Sequence, residues 1–111
     1  MIGNTKLWSD SVGVWRKDPD KDSSGIEWGE IDRICGYQLG VRGNSSTHIE
    51  LIFPFGSALE IDSTWDGYSD VIHNLLERFS IDAAELERLD ARDPDDEYQY
   101  VELWSVQSSQ A

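Results

Sequence analysis

The chain is short of cysteine, of positive charge and of long apolar runs, and each shortage closes off a class of function. Cys35 is the only cysteine in 111 residues. That excludes an internal disulfide and a thiolate metal cluster, and it suits a reducing, cytoplasmic compartment. No apolar stretch approaches the length of a membrane helix, and Met1–Asp10 does not read as a signal peptide. Nine basic residues face twenty-two acidic ones, a net charge of −13. Phosphate binding requires Lys and Arg to displace counterions, so a nucleic-acid partner is excluded. An anionic membrane surface is excluded for the same reason. A basic protein is what such a chain attracts, and electrostatic steering would speed the encounter. High net charge also keeps proteins soluble, so the total alone does not name a function.

The placement of the charge says more. Met1 to Arg42 holds seven acidic and six basic residues, and Gly43 to Ala111 holds fifteen acidic and three basic. Such asymmetry between halves points to an interaction surface in the second half. Five Trp, four Tyr and three Phe, with 39% hydrophobic residues overall, supply enough core for one folded domain. We expect that domain over 11–107, with a short lead at 1–10 and a tail at 108–111.

No motif for chemistry emerges. His48 falls on the outward face of a strand and His73 falls off the apolar stripe of a helix. Neither has a His or Cys partner at ligand spacing, so both read as surface histidines. The run Arg92–Glu97 is acidic but lacks the alternating ligands and the glycine of a calcium loop. Cys35 sits in an alternating apolar strand and reads as a small buried hydrophobe more than as a nucleophile. No nucleophile elbow, phosphate loop or dinucleotide fingerprint is present. We therefore expect no catalytic residue, no metal and no cofactor.

Alternation and helical spacing mark out the elements. Ser11–Arg16 reads as a strand. Ile26–Ile34 reads as a strand running into a short turn or helix. Cys35, Tyr37, Leu39 and Val41 then alternate with Gly36, Gln38 and Gly40, a strand with one apolar face and one nearly bare. Gly43–Thr47 reads as a turn and His48–Phe55 as the strongest strand, with Pro54 forcing its end out of the ladder. Gly56–Ser57 reverses the chain into the strand Ala58–Asp62. Asp66 is the expected N-cap of a helix whose stripe is Tyr68, Val71, Ile72, Leu75, Leu76 and Phe79. Asp82 and Glu85 open a second helix running to about Asp90. Tyr98–Val106 closes the chain as a strand with Tyr98, Tyr100 and Trp104 on one side. The order implies an α+β domain, an antiparallel sheet of about five to six strands packed against two helices.

One constellation suggests a surface for a partner. Glu60 and Asp62 share the outer face of their strand, Asp66 and Asp70 begin the following helix, and Trp65 lies among them. Rim carboxylates for steering with an aromatic anchor are a common form of protein interface. Asp93, Asp95, Asp96 and Glu97 make a second acidic candidate.

The run Gly25-Ile26-Glu27-Trp28-Gly29-Glu30-Ile31-Asp32-Arg33-Ile34 resembles the I-x-W-x-x-I-x-x-I opening of a group of small bacterial proteins. In that group a hairpin follows, then a strand and an acidic-aromatic-Gly step into a helix. Here the step is Leu59-Glu60-Ile61-Asp62, Trp65-Asp66-Gly67-Tyr68 and Leu75-Leu76-Glu77-Arg78-Phe79. The group often closes on an aromatic strand like Tyr98 to Trp104, so the resemblance spans Val12 to Trp104. Ser80 departs from it, standing where relatives often have proline. Some members resemble immunity proteins of toxin systems, including contact-dependent inhibition, which bind and block one cognate toxin. The resemblance implies a small antiparallel sheet on helices, of which a pleckstrin-homology-like roll is one form, and it carries no catalytic residue. The rival expectation is a small ligand-binding, regulatory or homo-oligomeric module, whose signature is an apolar pocket or a symmetric apolar patch.

Overall fold

The computed structural model describes residues 5–41, 44–91 and 100–106. Among these the chain runs β1 (Lys6–Ser9), β2 (Gly13–Lys17), β3 (Ser24–Glu27), a 3-10 turn (Trp28–Glu30), β4 (Arg33–Val41), β5 (Asn44–Ile52), β6 (Ala58–Asp62), α1 (Tyr68–Arg78), α2 (Ala83–Asp90) and β7 (Val101–Ser105). The fold is α+β with two helices, as expected. The seven described strands form two antiparallel sheets, β1-β2-β3 and β6-β5-β4-β7, instead of one sheet of five to six. The division falls at the 3-10 turn. There the Trp28 indole N–H donates to the Asp10 carbonyl at 2.9 Å and its backbone N–H donates to Val12. Those bonds tie the turn back onto the first hairpin, so β4 starts a new sheet.

One core joins both sheets and both helices. Leu7, Val14 and Ile26 come from the first sheet, Ile34, Ile49, Leu51 and Ile61 from the second, Val71 and Leu75 from α1, and Leu89 from α2. Each such side chain contributes roughly 1.5–3 kcal/mol on burial. α2 opens as expected: the Asp82 carboxylate accepts from the Ala84 N–H at 3.0 Å.

β4 reverses the expected faces. The helices cover the side that carries Ile34, Gly36 and Gln38, and Cys35 and Tyr37 lie on the other. A Cβ on Gly36 would stand 2.4 Å from Leu89 Cδ2, so the bare face is the one against which α2 closes. Gln38 is buried there and donates to the Leu89 carbonyl at 2.9 Å and to the Thr47 hydroxyl. Thr47 in turn donates to Asp90 at 2.5 Å. This buried polar chain also explains why β5 begins at Asn44, where a turn was expected: Thr47 pairs with Gln38 in the ladder. β5 ends at Ile52, two residues before Pro54.

Two further expectations are corrected. The cap of α1 is Gly67, not Asp66. The Asp66 carbonyl is held by the Leu7 N–H at 2.8 Å, which docks β1 beside the helix start and makes a strand of the expected lead. In β7 a bulge separates the aromatics. Trp104 pairs with Ile34 and Glu102 with Cys35, leaving Leu103 as the extra residue. Trp104 packs on Phe79 in the core, 4.6 Å between centroids, whereas Tyr100 packs on Tyr37 on the opposite face at 5.1 Å. Tyr98 lies outside the described residues.

The Thr5 hydroxyl, 2.8 Å from Asp18, and the Arg16 guanidinium, 3.1 Å away, hold the Asp18 carboxyl below the ordinary carboxylate range. A folded-state pKa below the unfolded value adds stability above about pH 3.9, and that stability is lost as pH falls through the folded value. Asp18→Asn is therefore expected to lower the melting temperature at pH 7, by an amount that shrinks as pH is lowered through the carboxylate range, as calorimetry across that range would show.

Candidate protein-binding face

The register builds the outer face of the four-stranded sheet. Glu60 stands opposite Glu50, Glu50 opposite Cys35, and Cys35 opposite Glu102, so one row across β6, β5, β4 and β7 holds three carboxylates. In the next row Asp62 stands opposite His48, and His48 opposite Tyr37. Neighbouring strands lie about 4.8 Å apart, so these side chains are close. The direct Glu50–Glu60 opposition is unfavourable for a sheet. Arg33 is the only Lys or Arg among the described residues of the four strands, and it approaches Glu102 at 3.4 Å. Tyr100 and Leu39, 51% and 40% exposed, are the large side chains this face offers to a partner.

Hydrogen bonds hold the carboxylates in place. Tyr100 donates its hydroxyl to Glu50 at 3.0 Å. Tyr37 donates to Glu60 at 3.3 Å, and its ring stacks on His48 at 5.1 Å and 12°. Asp62 accepts the Thr64 N–H at 2.8 Å and its hydroxyl at 2.9 Å. His48 was expected at the surface. It is on the outward face but buried, with Nδ1 2.8 Å from Glu60 and Nε2 2.9 Å from the Ser46 hydroxyl and 3.6 Å from Asp62.

Ser46, His48 and Glu60 thus follow the order of a hydroxyl, a base and an orienting carboxylate. β5 is paired on both sides from His48 to Ile52, and the contacts of His48 with Ser46 and Glu60 hold Glu60 in place on the outer face. Among the described residues no group of three His, Cys, Asp or Glu side chains is arranged to hold a metal, and no helix is long and apolar enough to cross a membrane.

The residues expected to form a binding cluster are split between two places. Glu60 and Asp62 lie on the outer sheet face. Trp65 is not an available anchor: it packs against the core, and the Arg16 guanidinium covers its ring at 4.3 Å. Asp66 and Asp70 are exposed where α1 starts beside β1. Tyr68 packs against the core, and burial pushes its phenol up, with Asp90 and Asp62 adding to the effect. Asp93, Asp95, Asp96 and Glu97 lie outside the described residues. Glu50, Glu102, Tyr37, Tyr100 and Leu39 were not singled out from the sequence. The alternation of His48, Glu50 and Ile52 was a signal for the first of them, and only the register adds the rest.

The class that fold and face define is a small α+β domain with one carboxylate-rich sheet face. Comparison of the chain with protein-family models, curated proteins and solved structures finds no match.

Proposed function

We propose that this domain is an immunity-type inhibitor, which binds a cationic toxin domain on the outer face of β6-β5-β4-β7 and thereby blocks it. The Glu50–Glu60 opposition carries this reading. Like charges directly across a ladder work against the sheet, and local rules of this kind are broken mostly where function demands it. Helices pack on the other side, which leaves as anchors Tyr100, bonded to Glu50, and Leu39, further along β4. The net charge of −13 extends attraction for a basic surface beyond contact. A cytosolic setting fits the single, buried thiol, and the resemblance to immunity proteins supplies the kind of partner.

The test is co-expression with the basic C-terminal domain of a large secreted protein, should the neighbouring gene encode one. A stable complex, with growth restored to cells that make the toxic domain, is expected. A neighbouring metabolic operon, or a basic domain that this chain neither binds nor neutralises, would overturn the proposal.

A further inference from the structure

β1 and α1 flank a cavity of about 330 Å³ lined by Leu7, Trp8, Ser9, Asp70, His73 and Asn74. Its walls differ from the outer sheet face in one respect. Glu50, Glu60, Asp62 and Glu102 each meet a donor. Asp70 has no ion pair or hydrogen-bonded side-chain partner among the described residues. Opposite chemistry stands beside it: Trp8 is 41% exposed, a large aromatic surface left open to solvent. Asn74 donates its side-chain N–H to the Ser9 hydroxyl at 2.7 Å, which orients the amide and leaves Oδ1 as an acceptor. His73 Nε2 lies 3.6 Å from the Glu77 carboxylate on the next turn.

We propose that this cavity receives the guanidinium of an arginine side chain. An open indole beside a carboxylate without a side-chain partner suits a planar, weakly hydrated cation, which stacks on the ring and donates to Asp70 and Asn74 Oδ1 together. An ammonium is more strongly hydrated and presents no plane to stack, so lysine is the poorer occupant. The volume lies at the low end for ligand pockets, right for one side chain and not for a large metabolite. The proposal rests on the reading of the protein as a receptor for a cationic partner, for which this cavity would hold one anchoring arginine. It is tested without that partner.

The experiment titrates the isotope-labelled full chain with Nα-acetyl-arginine methylamide, and in parallel with the matching lysine and citrulline compounds, following amide and indole resonances. Trp8→Phe identifies the Trp8 indole signal. Saturable shifts of that signal and of the Asn74 side-chain amide are expected with the arginine compound. The uncharged citrulline compound should bind at least tenfold more weakly, and the lysine compound more weakly than arginine. Asp70→Asn, an exposed substitution in the first turn of α1 whose fold is checked by its melting temperature, should weaken arginine binding about tenfold. Equal binding of citrulline, indifference to Asp70→Asn, or arginine shifts confined to Glu50, Glu60 and Glu102 would overturn the proposal. The last result would leave the outer sheet face standing as the partner site. Saturable binding here, with no binding of a basic partner by the whole protein, would overturn only the immunity reading.

Discussion

Gly67→Val is expected to cost at least about 3 kcal/mol of unfolding free energy, against little or no change for Gly29→Val. Gly67 has φ +88°, a conformation that β-branched residues rarely adopt. A Cβ there would stand 1.9 Å from the Leu7 carbonyl oxygen. That atom is backbone, so no rotamer change relieves the overlap. The Leu7 N–H is bonded to Asp66 at 2.8 Å, and moving β1 aside would break this tie and lift buried Leu7 from the core. Backbone strain, steric overlap and lost burial therefore act in the same direction. Small domains have only about 5–15 kcal/mol to lose. At Gly29 an added Cβ meets nothing within 4 Å, which makes it the control. Urea denaturation of the two variants decides the matter: equal midpoints would show that β1 does not depend on Gly67.

The second large effect is a pair of opposite changes in one variant. Glu50→Gln with Glu102→Gln is expected to raise folding stability by about 0.5 kcal/mol, because relief of the Glu50–Glu60 opposition outweighs loss of the exposed Arg33–Glu102 pair. Glutamine keeps an acceptor for the Tyr100 hydroxyl, and the contacts of His48 with Glu60 are untouched. The same variant is expected to associate with a cationic partner about tenfold more slowly at low salt. The gap should close near 1 M salt, where the screening length is about 3 Å. Thermal unfolding and stopped-flow association test the two halves. A variant that is both less stable and equally fast would show that these carboxylates serve the fold and not a partner.

Residues that act through local rules were legible in the sequence. The stripe of Val71, Ile72 and Leu75 placed α1, Asp82 placed the start of α2, and the pair Leu59 and Ile61 placed β6 on the core. Residues whose role depends on a neighbour far along the chain were not. The inner face of β4 was misread because Gly36 buries area by what closes on it and not by its own side chain. Tyr100 and Trp104 were put together because a bulge leaves no trace in an alternating pattern. Asp66 looked like a cap because nothing local announced that Leu7 would claim its carbonyl. The candidate site followed the same division. Glu60 and Asp62 were visible from one strand's alternation, but the row with Glu50 and Glu102 exists only once four strands are in register. Trp65 was lost as an anchor to Arg16, which lies on β2.

The most direct measurement is a chemical-shift footprint of a basic partner domain on the labelled protein. Perturbation centred on Tyr37, Glu50, Glu60, Tyr100 and Glu102, and weakening as salt is raised, is the result expected. A footprint that leaves this row untouched, or one indifferent to ionic strength, would contradict the outer sheet face as a docking site for cationic protein.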